Sequence, residues 1–159
     1  MKIKKRNFLK KKMVKEIKKD LGEYSSIIQE GDKIEYLEAD PESFILINGE
    51  PYIILINDKP FPTLKALLSN EINCKTVTVD MGAIKFVSNG ADIMSPGIVD
   101  ASEDITEDDL VLIVDETHKK PLAIGISLIS GNEMVDNDSG KAIKTIHFVG
   151  DSIWNFEIK

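Results

Sequence analysis

The residues able to do acid–base, nucleophilic or metal chemistry are scattered along this chain. The two histidines, His118 and His147, lie far apart, and His118 falls in a turn signal, Thr117-His118-Lys119-Lys120. The single cysteine, Cys74, has no thiol or imidazole at metal-ligand spacing, so neither a zinc site nor a Cys–His nucleophile has support. Asp136-Asn137-Asp138-Ser139-Gly140 is faintly like a calcium loop. Its glycine is misplaced, however, and the twelfth position is His147 where an EF-hand needs a bidentate Glu. Carboxylates abound, but nothing marks two of them as an acid–base pair, and no glycine-rich phosphate loop occurs. The spacing thus gives no support to a metal or cofactor site or to a catalytic pair.

Charge is distributed unevenly. Residues 1–20 hold ten Lys/Arg and two acids, a net +8 within a chain of net −7. The remaining residues therefore carry −15, which argues against non-specific coating of nucleic acid. The spacing predicts a basic amphipathic helix over residues 1–24, with Leu9, Met13, Ile17 and Leu21 recurring every four residues beside Val14. Its lysines, among them Lys11, Lys15 and Lys18, form either a solvated face or a phosphate-contacting one. A membrane-surface helix is the third reading, disfavoured because no Trp accompanies the stripe.

These groups need a scaffold, and the chain has the length for one domain or two small ones. No apolar run approaches a membrane span, no signal peptide is evident, and the lone cysteine fits a reducing cytoplasm. Gly31-Asp32 predicts a turn, and Ile34 and Tyr36 alternate with charged neighbours as in a half-buried strand closed by Pro41. Phe44 to Ile47 and Tyr52 to Ile56 flank Asn48-Gly49, a type I′ hairpin signal, and helices should cover one face of these apolar strands. Thr63 reads as the N-cap of a short helix with Leu64, Leu67 and Leu68 inward. Thr76 to Val79 form a strand, Asp80 caps a short helix containing Ile84 and Val87, Asn89-Gly90 ends it, and Pro96-Gly97 turns the chain. Phe86 reads as core. Glu103 to Asp109 reads as a solvated acidic turn. Strands follow over Leu110 to Val114, Pro121 to Leu128, Ala142 to Val149 and Ile153 to Phe156, with a bend or bulge at Gly125 and a polar loop over 130–140. The class is α+β: an α/β layer over 1–73 packed on a partly closed β-barrel with one short helix over 75–159.

The stretch ending at Asp80, with Gly82-Ala83-Ile84-Lys85-Phe86, Gly90-Ala91-Asp92 and Met94-Ser95-Pro96-Gly97, resembles the first half of a PUA domain, an RNA-binding module. Asp109 to Val114, Leu122 to Gly125, and Gly140 to Phe148 with Asp151 and Trp154 sit where that module has its later strands. One departure is Asp108, where many relatives have Gly; Asp tolerates the left-handed region at modest cost. Together with Asn48-Gly49-Glu50 and Pro60-Phe61-Pro62-Thr63-Leu64, the pattern is similar to the malignant-T-cell-amplified-sequence and ligatin family, a pre-PUA domain followed by a PUA domain, and looks like its archaeal stand-alone branch.

The resemblance implies a non-catalytic RNA-binding protein acting in translation on the small ribosomal subunit or tRNA. The RNA would be a tRNA 3′ end or small-subunit rRNA, and a translation factor with a start-codon-selection fold would be a protein partner. An accessory subunit for an RNA-modifying enzyme and a protein-interaction scaffold are the alternatives. PUA domains hold RNA between the short helix and the strand after it. This implies contacts from Lys85, Gly90, Ala91, Asp92, Met94, Pro96 and Gly97, with Lys141 and Lys144 opposite. The chemistry is consistent: small residues let a sugar-phosphate backbone approach main-chain N–H groups, and Met94 offers an adaptable apolar surface to a base or ribose.

Overall fold

A computed structural model of the chain describes residues 1–70 and 72–158. The chain divides into two compact units, Met1–Ile72 with the residues from Phe156 on, and Asn73–Asn155.

The first unit opens with strand β1 (Lys2–Phe8), followed by helix α1 (Lys11–Leu21) and a 3-10 turn over Gly22–Ile27. Strands β2 (Ile34–Asp40), β3 (Ser43–Ile47), β4 (Glu50–Ile56) and β5 (Lys59–Pro62) then form an antiparallel sheet in the order β1-β2-β3-β4-β5, and helix α2 (Leu64–Ser69) closes the unit. The single helix expected over residues 1–24 is thus corrected to a strand and a shorter helix. The cause lies across the sheet: Lys2 faces Asp40, Lys5 faces Glu38, and Arg6 Nε donates to Glu35 Oε2 at 2.7 Å. Those acids sit some thirty residues away, and no local periodicity contains them.

The hairpin forms as the sequence predicts. Asn48 and Gly49 have φ of 52° and 87°, the left-handed pair of a type I′ turn. α1 lies against β5 and α2 against β4, which supplies the expected cover. The Thr63 hydroxyl accepts from the Ala66 N–H at 3.2 Å. Leu64, Ala66 and Leu67 define the buried sector of α2, so Leu68, expected inward, falls outside it and is 46% exposed. Phe44 is fully buried and stacks on Phe156, ring centroids 4.7 Å apart. The strand expected at Ile153 to Phe156 does not form. Asp151 accepts the Phe148 and Trp154 N–H groups and bends the chain into a turn there.

The second unit holds β6 (Thr76–Val79), a 3-10 turn over Met81–Ala83 running into helix α3 (Ile84–Val87), β7 (Ile93–Met94), a second 3-10 turn over Ser95–Gly97, and β8 (Ile98–Ala101). β9 (Leu110–Asp115), β10 (Pro121–Ser127), helix α4 (Gly131–Asp136) and β11 (Lys141–Phe148) follow. The strands make a six-stranded near-barrel sheet in the order β7-β11-β10-β9-β6-β8, with β6 parallel to β9 and the other pairs antiparallel. Val77, Val79, Ile113, Ala123, Met134 and Ile143 are among the residues of its core.

Gly125 sits at a register shift between β10 and β11, and a Cβ there would run into Ile143 and the Lys144 carbonyl. Asp108 takes φ of 70°, the left-handed conformation expected of it. The polar loop expected over 130–140 contains α4, so this unit has two short helices and not one. Its capping box was legible as Ser130-x-x-Glu133: the Ser130 hydroxyl accepts the Glu133 N–H at 3.2 Å and Glu133 Oε1 accepts the Ser130 N–H at 3.3 Å.

Candidate nucleic-acid interface

The second unit has a pocket of about 660 Å³ between the two 3-10 turns, α3, β7 and the start of β11. Asp80, Gly82, Ala83, Phe86, Val87, Ala91, Asp92, Ile93, Met94, Pro96, Gly97 and Lys141 line it. Its floor is backbone held close to backbone. Asp80 caps the first 3-10 turn, its Oδ1 accepting the Ala83 N–H at 2.9 Å, and its own N–H donates to the Gly97 carbonyl at 2.9 Å. A Cβ on Gly97 would stand 3.2 Å from that of Ala83, a tight contact that the glycine avoids.

The far wall is tied to β11. The Thr145 N–H donates to Asp92 Oδ1 at 3.1 Å, the Thr145 hydroxyl donates to the Ala91 carbonyl at 2.9 Å, and Lys141 Nζ lies 3.3 Å from Asp92 Oδ2. The Ser95 N–H donates to the Gly140 carbonyl at 2.9 Å. The rim carries apolar surface, with Phe86 57% and Met94 45% exposed. Phe86, expected in the core, is therefore a surface ring. Val87 is the buried residue of α3 and Ile84 is half-buried, and Lys85 Nζ lies 5.0 Å from the Phe86 ring centroid.

Ala91, Asp92, Met94, Pro96, Gly97 and Lys141 thus meet around one cavity. Lys85, Gly90 and Lys144 do not line it. Gly90 has φ of 81°, and a Cβ there would come 2.6 Å from the Phe148 ring, so turn geometry and packing both require the glycine. Lys144 is exposed on β11 opposite Ile126 of β10. Asp80, Gly82, Ala83, Val87 and Ile93 line the pocket without having been singled out as contacts; the Asp80 cap was the signal that could have placed them. The lining combines apolar and small side chains with two carboxylates and one amine, and holds no Ser, Thr, Cys or His, a surface suited to holding a ligand.

In the first unit, Lys11 and Lys18 line a second pocket of about 530 Å³ with Leu9, Val14, Ile28, Ile34 and the Gln29–Asp32 loop. Lys15 is exposed outside that lining. Among the described residues no group of His, Cys, Asp or Glu could hold a metal, and no helix is long and apolar enough to cross a membrane. His147 is buried with its Nδ1 2.8 Å from Asp151 Oδ2, a structural role.

Residues 75–149 match the PUA domain, and residues 5–70 match a domain of unknown function, DUF1947, the pre-PUA region. The chain is 50% identical to an uncharacterized protein of Methanocaldococcus jannaschii, covering 99% of both. It is 32% identical to translation machinery-associated protein 20 of Saccharomyces cerevisiae, over 95% of this chain and 87% of that one. The chain belongs to this family of pre-PUA and PUA proteins. A crystal structure of a hypothetical protein from Pyrococcus horikoshii superposes with a TM-score of 0.82 at 40% identity, covering 94% of this chain and 98% of that one. The pocket above accordingly lies within the PUA domain, and the lysine helix within the pre-PUA region.

Proposed function

We propose that this protein is a non-catalytic RNA-binding protein that acts in translation, on the small ribosomal subunit or on tRNA, in the cytoplasm. The observation that carries this reading is the PUA pocket of about 660 Å³, whose rim joins small residues, exposed Phe86 and Met94, and Lys141. Such a surface suits an unstacked base or ribose with its phosphate on a lysine. The proposed contacts are Gly90-Ala91, Asp92, Met94 and Pro96-Gly97, with Lys141 at the pocket and Lys85 and Lys144 on the surrounding surface. Kinship with translation machinery-associated protein 20 supports the translational setting. A factor with a start-codon-selection fold is the proposed protein partner, and the α1 lysines Lys11, Lys15 and Lys18 are proposed to add phosphate contacts.

Affinity capture from cell extract tests this. Recovery of small-subunit particles, tRNA or an initiation factor is expected. Recovery of an RNA-modifying enzyme instead would make the protein an accessory subunit. Capture of protein without RNA would make it a scaffold, a reading favoured by the −15 carried outside the first twenty residues.

A further inference from the structure

The charged side chains that line the PUA pocket are Asp80, Asp92 and Lys141, two carboxylates against one amine. The Asp92 carboxylate is satisfied by the protein: Oδ1 accepts the Thr145 N–H at 3.1 Å, and Oδ2 lies 3.3 Å from Lys141 Nζ. Asp80 is engaged through one oxygen. Its Oδ1 accepts the Ala83 N–H at 2.9 Å, whereas Oδ2 has no hydrogen-bond partner and the carboxylate no ion pair among the described residues. The N–H of the next residue, Met81, is taken by Glu116 Oε1 at 3.2 Å. Asp80 is half-buried, and Gly82 sets no side chain over it: a Cβ there would stand 3.4 Å from Asp80 Oδ1. A cap needs one oxygen, which Ser, Thr or Asn also supplies, so the second carboxylate oxygen is surplus to the turn. In a cavity with mostly apolar walls, that oxygen calls for a hydrogen-bond donor from whatever enters. A phosphate brings acceptors and charge of the same sign, and is kept to the rim at Lys141.

We propose that the PUA pocket takes an RNA base by its exocyclic amino group, with Asp80 Oδ2 as the acceptor, and so selects an amino-bearing base over uracil. Asp80 then has two duties, capping the turn with one oxygen and reading the base with the other. Cytosine carries an amino group where uracil carries the O4 carbonyl. Uracil would therefore set acceptor against acceptor and leave the carboxylate desolvated without a partner. The proposal rests on the RNA-binding reading of this pocket and adds to it which base enters.

Cytosine and uracil have the same ring size, so the pair isolates the amino group. The test is fluorescence anisotropy of the full chain with short labelled oligocytidylate and oligouridylate of equal length, at neutral pH. The wild type should prefer oligocytidylate about tenfold, the size of one hydrogen bond to a charged acceptor. Asp80→Ser keeps an oxygen for the Ala83 N–H and removes the second one, so the preference should disappear. Asp80→Asn keeps the cap but puts an amide nitrogen in place of Oδ2, so the preference should turn toward oligouridylate, whose O4 accepts. Both variants lose a negative charge and should gain affinity for both oligonucleotides alike, which makes the ratio the readout. Both keep a capping residue and should melt close to the wild type. A test that needs no variant replaces cytidine with N4,N4-dimethylcytidine, which lacks the donor and should bind the wild type as weakly as uridine. Equal wild-type affinity for the two oligonucleotides overturns the base reading and leaves the RNA reading of the pocket standing. So does a preference unchanged in both folded variants, since that is what a cap alone predicts, or undiminished binding of the dimethylated oligonucleotide. Absence of any RNA binding by the wild-type chain overturns both.

Discussion

Charge reversal at Lys141 and at Lys144 separates a pocket contact from a general field effect. Both lysines are exposed and both sit on β11, but only Lys141 lines the PUA pocket. The Lys141–Asp92 pair is 3.3 Å long with the lysine side chain 61% exposed, and such pairs contribute about 0–1 kcal/mol. Lys141→Glu loses that and adds a repulsion from Asp92 of about 1 kcal/mol under water-like screening. Asp92 keeps its bond from the Thr145 N–H, so the wall stays in place and the total cost is about 1–2 kcal/mol. Lys144→Glu should change folding by less than about 0.5 kcal/mol. Against a labelled single-stranded tRNA 3′ end, loss of one charge-assisted phosphate contact should weaken Lys141→Glu roughly tenfold. It should also flatten the salt slope by about 0.7. Lys144→Glu should move affinity far less. The assay is anisotropy across a salt series, with urea unfolding as the control on folding. Equal losses in the two variants, or full affinity in folded Lys141→Glu, would refute the pocket assignment.

Gly90→Ala puts a Cβ at φ of 81° and 2.6 Å from the Phe148 ring, so it should destabilise the PUA unit by about 2–4 kcal/mol, read as a lower urea midpoint. Ser130→Ala removes the hydroxyl of the α4 capping box and should cost about 1 kcal/mol in the same assay. Burial pushes the Asp109 carboxyl up, but the hydrogen bonds from Lys75 and Thr106 outweigh it and hold it below the usual carboxylate range. A folded-state value below the unfolded one, near 3.9, gives stability that is present above about pH 4 and lost as pH falls through the folded value. Acid unfolding should therefore be less steep in Asp109→Asn than in the wild type when followed by circular dichroism. A chain of residues 73–155 should fold alone with a cooperative melt, since the core residues of the near-barrel sheet all lie within it. A non-cooperative melt would contradict that expectation.

Features that depend on neighbours within a few residues were legible in the sequence: the Asn48-Gly49 hairpin, the Thr63 and Asp80 caps, the left-handed Asp108 and the Gly125 bulge. Each is decided by backbone sterics or by a side chain bonding three residues on, so the residue types suffice. Half of the pocket lining was legible as well, because Ala91, Asp92, Met94, Pro96 and Gly97 belong to one short run whose turns bring them to the same place. What tertiary structure decided were the features set by partners distant in sequence. Residues 2–8 fall within the segment expected as a helix, yet they pair as a strand, where Glu35, Glu38 and Asp40 of β2 meet their cations. Phe86 looks like core by its type, yet α3 buries Val87 and leaves the ring on the rim. Gly90 serves the Phe148 ring fifty-eight residues on as well as its own turn. Which lysine of β11 meets the pocket depends on strand register, and a shift of one residue turns a side chain to the other face of a sheet.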